Sequence, residues 1–214
     1  MKQKNVNLHL VGACQLCLML LLLATLSDPA VAATQTAATG ETTNALEISM
    51  QGYEPDKSEW SEKASAKYEK TKDRGGAPMA VLTIDGLNIK APVYEGTHRI
   101  TLDRGLGWIA GTAKADEVGN IALSGHRDGF FRPLKDIKVG DPIEMQTMAG
   151  VQKFEVSDIS IVDALEVSVL DPTDTTVLTL ITCYPFYYQG YAPDRYIVRA
   201  TPVGSTEMGS NQVP

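Results

Sequence analysis

The stretch Val177-Leu178-Thr179-Leu180-Ile181-Thr182-Cys183-Tyr184-Pro185 decides how the chain is read. Its first five residues are β-branched or leucine. Turn-forming Asp171, Pro172 and Asp174 precede it, and Pro185 closes it. This pattern predicts a short, largely buried strand. Cys183 falls where the strand runs out. The sheet holds its backbone, while Pro185 cannot continue a ladder and must turn the chain away, leaving a gap beside the sulfur. A thiol on a rigid strand end beside an opening suits a nucleophile. A lone cysteine is more often a small buried hydrophobe, so the rest of the chain has to decide between the two.

At 214 residues the chain allows one domain plus additional segments. Its 43% hydrophobic and 21% charged content is ordinary for a soluble globular core. Lys+Arg 19 against Asp+Glu 26 gives a net charge of −7, so no basic footprint argues for nucleic acid. Cys14 and Cys17 lie in an apolar N-terminal run, which leaves Cys183 alone in the folded part. It has no partner for an internal disulfide. No paired Cys-x-x-Cys elements offer a metal site, and no cofactor is expected.

Residues 1–32 read as a signal peptide or a membrane anchor. Lys2 and Lys4 precede an apolar run from about Leu8 to Leu26, and Ala30-Val31-Ala32 supplies small residues for a signal peptidase. Cleavage and retention lead to one place, since the positive-inside rule puts the remainder outside the cytoplasm, next to the cytoplasmic membrane. Exported domains tend to oxidise their thiols. A single unpaired cysteine there is a liability unless it reacts for a purpose.

Residues 33–78 read as a linker with a short helix. The part from Ala33 to about Glu47 is small and polar, like a flexible stalk. A helix is predicted to start at Asp56-Lys57-Ser58-Glu59, to carry Trp60, Ala64 and Tyr68 as an apolar stripe, and to end by Gly75-Gly76 and Pro78. Residues 79–203 read as all-β. Strands are predicted at Met79–Ile84, Leu87–Val93, Ile121–Ser124, Pro142–Thr147, Lys153–Val162, Val177–Thr182 and Arg195–Ala200, with Asp85-Gly86 as a tight hairpin turn. Regular spacing of this kind points to a barrel or sandwich. Residues 204–214 read as a flexible tail.

Two further places carry chemistry. His126 lies between Gly125 and Gly129 at a predicted strand end, where an imidazole can carry protons. His98, in the polar turn Glu95–Arg99, is the other histidine beyond the signal region. Arg195 opens the last strand and shares a face with Ile197 and Arg199. A guanidinium there can offer planar donors to a developing oxyanion.

The order His126, then Thr179-Leu180-Ile181-Thr182-Cys183, then Arg195 twelve residues on, resembles the sortase transpeptidases. Ser124-Gly125-His126-Arg127, Phe130-Phe131-Arg132-Pro133-Leu134 and Val139-Gly140-Asp141 are similar to the family's histidine segment, and Arg195-Tyr196-Ile197-Val198 to its arginine strand. The likeness spans about Met79 to Pro202 and looks closest to the class D group or to sortases of marine proteobacteria. It implies an eight-stranded β-barrel that cuts a Leu-Pro-x-Thr-Gly-like sorting motif at the C-terminus of exported proteins. It further implies transfer of the acyl end to an amine acceptor. By position, Cys183 is implied as nucleophile, His126 as general acid/base and Arg195 as oxyanion donor. Rivals for these roles are Arg127, beside His126, and Arg199.

The segment Leu165–Leu170, with Glu166 and Leu170, is implied to shape the substrate groove, together with Thr182 and Tyr184. The tyrosines from Tyr184 to Tyr191 either line that groove or cover one barrel end. Some sortases bind calcium through loop carboxylates, but Asp116, Glu117, Glu166 and Asp171 lie far apart in the chain and no metal is expected. An L,D-transpeptidase would want a Ser-x-Gly-Cys turn with arginine close behind, which Tyr184-Pro185 after Cys183 does not fit. Papain-like proteases place cysteine before histidine. A catalytically dead, membrane-tethered binding module would not need all three of His126, Cys183 and Arg195.

Overall fold

The computed structural model describes Leu46, residues 49–188 and residues 190–204. The predicted signal or anchor segment, most of the stalk and the C-terminal tail past residue 204 lie outside the described residues. Among the described residues no helix is long and apolar enough to cross a membrane.

Eight strands close into a barrel in the order β1-β2-β3-β4-β7-β8-β6-β5. They are β1 (Ala80–Ile84), β2 (Ile89–Glu95), β3 (Leu106–Trp108), β4 (Asn120–Ser124), β5 (Pro142–Thr147), β6 (Val151–Asp163), β7 (Val177–Tyr184) and β8 (Asp194–Pro202). Seven of these follow the sequence pattern. The eighth, β3, is three residues long and contains Gly107, too short for any periodicity to show. Gly107 is needed because a Cβ there would meet the Gly96 carbonyl oxygen at 2.4 Å. The Asp85-Gly86 turn differs from expectation. Residues 85–87 form a single 3-10 turn and Asn88 takes the left-handed conformation at φ 52°, so β2 starts at Ile89 and not at Leu87. Asparagine tolerates that region, and the longer turn sets buried Ile89 opposite buried Ile84.

The barrel is filled by Leu82, Ile84, Leu106, Ile121, Leu123, Phe131, Ile143, Met145, Phe154, Leu178 and Leu180, among other buried side chains. Burial of each such side chain stabilises the fold by about 1.5–3 kcal/mol relative to exposure. β7 lies between β4, to which it runs parallel, and β8, to which it runs antiparallel. Its Leu178 and Leu180 point into the barrel. On its outer face Ile181 joins Ala122 and Ile197 in a second cluster, packed beneath Val169 and Leu170 of the β6–β7 segment. Cover on both faces explains why the strand reads as a run of β-branched residues and leucine and not as an apolar–polar alternation.

Helix α1 (Glu62–Thr71) packs against this barrel, and α2 (Arg99–Arg104) connects β2 to β3. The start of α1 is later than expected. Asp56 accepts a hydrogen bond from the Ser58 amide at 2.9 Å and forms a local turn, and the cap is Ser61, whose Oγ accepts from Ala64 N–H at 3.0 Å. Trp60 therefore stands outside the helix. It packs edge-on against Phe130 (4.7 Å between ring centroids) and Tyr68 (5.6 Å), and so ties α1 to the segment that follows His126.

Candidate active site

Cys183 lies on the outer face of β7, next to the last residue of the strand, half-buried and unbridged. Arg195 is its antiparallel partner on β8. Directly opposed residues share a face, with Cβ atoms roughly 4.5–5.5 Å apart. The register, and not proximity in sequence, therefore sets Arg195 opposite Cys183. Arg195 Nη1 donates to the Ala192 and Asp194 carbonyls at 3.3 and 2.9 Å, which fixes its stem at the strand start.

His126 arrives from β4. The Gly125 amide donates to the Ile181 carbonyl at 3.1 Å, which extends the β4–β7 ladder by one bond. Thr182 Oγ1 donates to the Gly125 carbonyl at 2.8 Å. A Cβ on Gly125 would lie 2.6 Å from Phe131 and 2.7 Å from Leu106, so only glycine lets the histidine segment pass over the core. The chain then folds back, with the Gly129 and Phe131 amides both donating to the His126 carbonyl at 3.2 Å. His126, Cys183 and Arg195 consequently line one cavity of about 220 Å³, together with Arg127, Asp128, Gly190, Tyr191 and Ala192.

The imidazole is held below its ordinary pKa of 6.5, first by burial and then by the Lys67 ammonium, with Asp128 and Asp103 acting in the opposite direction. Near neutral pH it is an uncharged base. A thiol, a neutral imidazole and a guanidinium around one cavity can generate a sulfur nucleophile and stabilise an oxyanion.

The other sequence candidates separate clearly. Arg199 sits opposite Thr179, four residues along the strand from Arg195, and reaches the Val169 carbonyl at 3.5 Å, outside the cavity. Arg127 lines the cavity, but its donors are engaged by the carbonyls of Pro185 (3.0 Å), Tyr188 (2.9 Å) and Gly190 (3.1 Å). It clamps the β7–β8 segment, as does buried Arg132 through the Phe186 carbonyl at 2.6 Å. His98 is exposed at the start of α2, away from the cavity.

The four predicted substrate contacts lie in three settings. Thr182 is 2% exposed and its hydroxyl donates to the Gly125 carbonyl, so it frames the site. Tyr184 points to the face opposite Cys183. It stacks on Tyr196 at 6.1 Å and meets Phe186 edge-on, covering a barrel end. Leu170 lies on the outer face that carries Cys183, and Glu166 is exposed on the same segment, where it accepts from the Ser168 amide at 3.0 Å. Among the described residues no three His, Cys, Asp or Glu side chains gather in a metal-binding group.

Two features lie beyond any sequence pattern. Asn120, 2% exposed, donates to the Val169 and Asp171 carbonyls at 2.9 and 3.1 Å and accepts from Thr179 Oγ1 at 2.6 Å, anchoring the β6–β7 segment to the sheet. Asp103 of α2, its side chain 4% exposed, stands behind His126 and pairs with Lys67 of α1 at 3.1 Å. The charged run Arg99–Arg104 gives no hint of a buried carboxylate.

The sequence profile of the sortase domain matches residues 82–203. The chain belongs to the sortase family. It is 36% identical over 128 residues to Sortase D of Bacillus subtilis (strain 168), covering 59% of this chain and 65% of that protein. It is 31% identical over 128 residues to Sortase A of Listeria monocytogenes, covering 56% of this chain and 54% of the relative. These matches span somewhat less than two thirds of each relative's length. Among solved structures, the catalytic domain of B. anthracis SrtD aligns at 35% identity with a TM-score of 0.53, covering 63% of this sortase and 92% of that chain. A Clostridium perfringens Sortase D5 transpeptidase aligns with a TM-score of 0.57 over 78% of this chain and 99% of its own, at 23% identity, a likeness that bears on the fold alone.

Proposed function

We propose that this sortase is a cysteine transpeptidase that cleaves a Leu-Pro-x-Thr-Gly-like motif near the C-terminus of exported proteins and transfers the new acyl end to an amine. The reading rests on one observation above all: Cys183, His126 and Arg195 share a single cavity although they come from three separate strands or strand ends. The likeness to Sortase D of Bacillus subtilis supports a place near the class D group.

The reaction runs in two halves. Neutral His126 takes the proton from Cys183 Sγ, and the thiolate attacks the scissile carbonyl carbon. The tetrahedral oxyanion accepts hydrogen bonds from the Arg195 guanidinium, a contribution of about 3–4 kcal/mol for one such donor. Collapse breaks the C–N bond, the imidazolium gives its proton to the departing amine, and a thioester remains. An acceptor amine, deprotonated by His126, attacks that thioester. The C–S bond breaks, and the new amide leaves as Cys183 returns to its starting state. Glu166 and Leu170 flank the approach as substrate contacts. Residues 1–32 export the chain and serve either as a cleaved signal or as an anchor. The catalytic part then works on the extracytoplasmic side of the cytoplasmic membrane.

The test is incubation with C-terminal sorting peptides and a panel of amines, read by mass spectrometry. An acyl adduct on Cys183 and an amine-dependent amide product are expected. Turnover retained in Cys183→Ala refutes the assignment.

A further inference from the structure

His126 separates two spaces. The residue lines the cavity of Cys183 and Arg195 and also a small pocket walled by Trp60, Ala64, Lys67, Leu102 and Asp103. The side chain is 34% exposed, yet Nε2 is fully buried and has no hydrogen-bond partner. That nitrogen lies 3.4 Å from Asp103 Oδ1, itself buried and without a hydrogen bond. Nδ1 is therefore the one ring nitrogen able to exchange a proton with the cavity.

Resting on the transpeptidase reading, we propose that Asp103 is a positioning residue for His126. It keeps Nε2 turned inward, leaves Nδ1 as the proton-carrying atom, and stabilises the imidazolium formed when Cys183 is deprotonated. A neutral ring with its proton on Nε2, facing a carboxylate, presents a free lone pair on Nδ1. When Nδ1 gains a proton, the 3.4 Å contact becomes an ion pair in a site screened from water. Lys67 moderates the effect. Its ammonium, 3.1 Å from the same Oδ1, neutralises the carboxylate in the resting state and keeps the buried charge paired. Arg99 Nε adds a longer contact to Oδ2 at 3.8 Å.

Lys67 lies in α1, outside residues 82–203 that match the sortase domain. The same helix is fastened to the histidine segment at its start. The Ser61 amide donates to the Asp128 carbonyl at 3.1 Å, and Ser61 Oγ donates to Asp128 Oδ2 at 3.0 Å. The helix preceding the barrel thus supplies part of the electrostatic setting of His126. Charged and titratable groups facing the imidazole are Asp103 and Arg99 on α2, Lys67 on α1, and Asp128 and Arg127 on its own segment. Across the cavity stand Cys183, Arg195 and Tyr191.

The experiment follows the side-chain resonances of His126 by NMR across pH, in the wild-type protein and in Asp103→Asn, Lys67→Met and the double variant, with His126→Asn for assignment. Asp103→Asn is expected to lower the midpoint by about one pH unit, a tenfold loss of proton affinity. Lys67→Met is expected to raise it, and Asp103→Glu to restore part of the loss. The double variant leaves no unpaired buried charge, so it reports the Asp103 effect against Lys67→Met even where Asp103→Asn folds poorly. A midpoint unmoved by removal of Asp103 overturns the proposal. In peptide turnover, the acidic limb of the kcat/KM profile is expected to move with the midpoint while KM holds. A limb that stays put also overturns it. Should the wild-type protein process no sorting peptide, the transpeptidase reading fails by itself. The NMR arm still decides whether Asp103 governs His126.

Discussion

Asn120→Ala tests whether the β6–β7 segment is positioned by buried hydrogen bonds. The side chain is 2% exposed and holds three partners, the carbonyls of Val169 and Asp171 and the hydroxyl of Thr179. Removing it strands a buried hydroxyl and weakens two carbonyl attachments. A net hydrogen bond contributes about 0.5–1.5 kcal/mol, and an unsatisfied buried group costs about 1–3 kcal/mol. The sum for this site is roughly 3–4 kcal/mol, against a total stability of about 5–15 kcal/mol for a typical domain. That corresponds to a fall of roughly 10 °C in Tm for a domain of this size. Thr179→Val removes the other end of the shortest bond and is expected to cost about 1–2 kcal/mol alone. In the double variant the stranded hydroxyl is gone, so the two losses should fall short of additivity by about 1 kcal/mol. Urea unfolding of the four proteins measures the cycle. Additivity within about 0.5 kcal/mol, or an Asn120→Ala cost below about 1 kcal/mol, refutes the reasoning. Peptide KM is expected to rise in Asn120→Ala because Leu170 rides on the segment that Asn120 anchors.

Arg195→Ala should lower kcat by about 10²–10³-fold, as loss of an oxyanion donor does, while Arg199→Ala stays near wild type; a larger loss from Arg199→Ala would reverse the assignment. Thr182→Val removes the bond to the Gly125 carbonyl at nearly constant volume and should cost about 1–3 kcal/mol in urea unfolding and slow peptide turnover, with Thr182→Ser recovering much of both. The His126 pKa lies below its ordinary 6.5, so on acidification the unfolded chain takes up this proton first. The stability tied to His126 is therefore full above pH 6.5 and is lost as pH falls through the native value. His126→Asn should show a shallower loss of stability below pH 6.5, and equal slopes in the two proteins would contradict the burial argument.

Much of the site was legible because it follows local rules. An apolar run ended by Cys183-Tyr184-Pro185 announces a strand with a thiol at its end, and glycines around His126 announce a sharp exit from another. The pattern of seven strands carried the all-β reading in the same way. Period and turn chemistry are properties of neighbouring residues, so one sequence suffices to show them. Other features depend on residues far apart. The three-residue β3 exists only because β2 and β4 flank it. The antiparallel register of β7 and β8 sets Arg195, and not Arg199, opposite Cys183, and the alternation of faces sends Tyr184 away from Cys183. The burial of Asp103 arises where α1 and α2 meet the histidine segment, since a carboxylate in the charged run Arg99–Arg104 is hidden only by what packs over it. The kinds of reactive group and their order along the chain were thus written locally. Which of them converge, and which charge stands behind the imidazole, was decided by strand register and helix packing, because pairing and desolvation are set by distant parts of the chain.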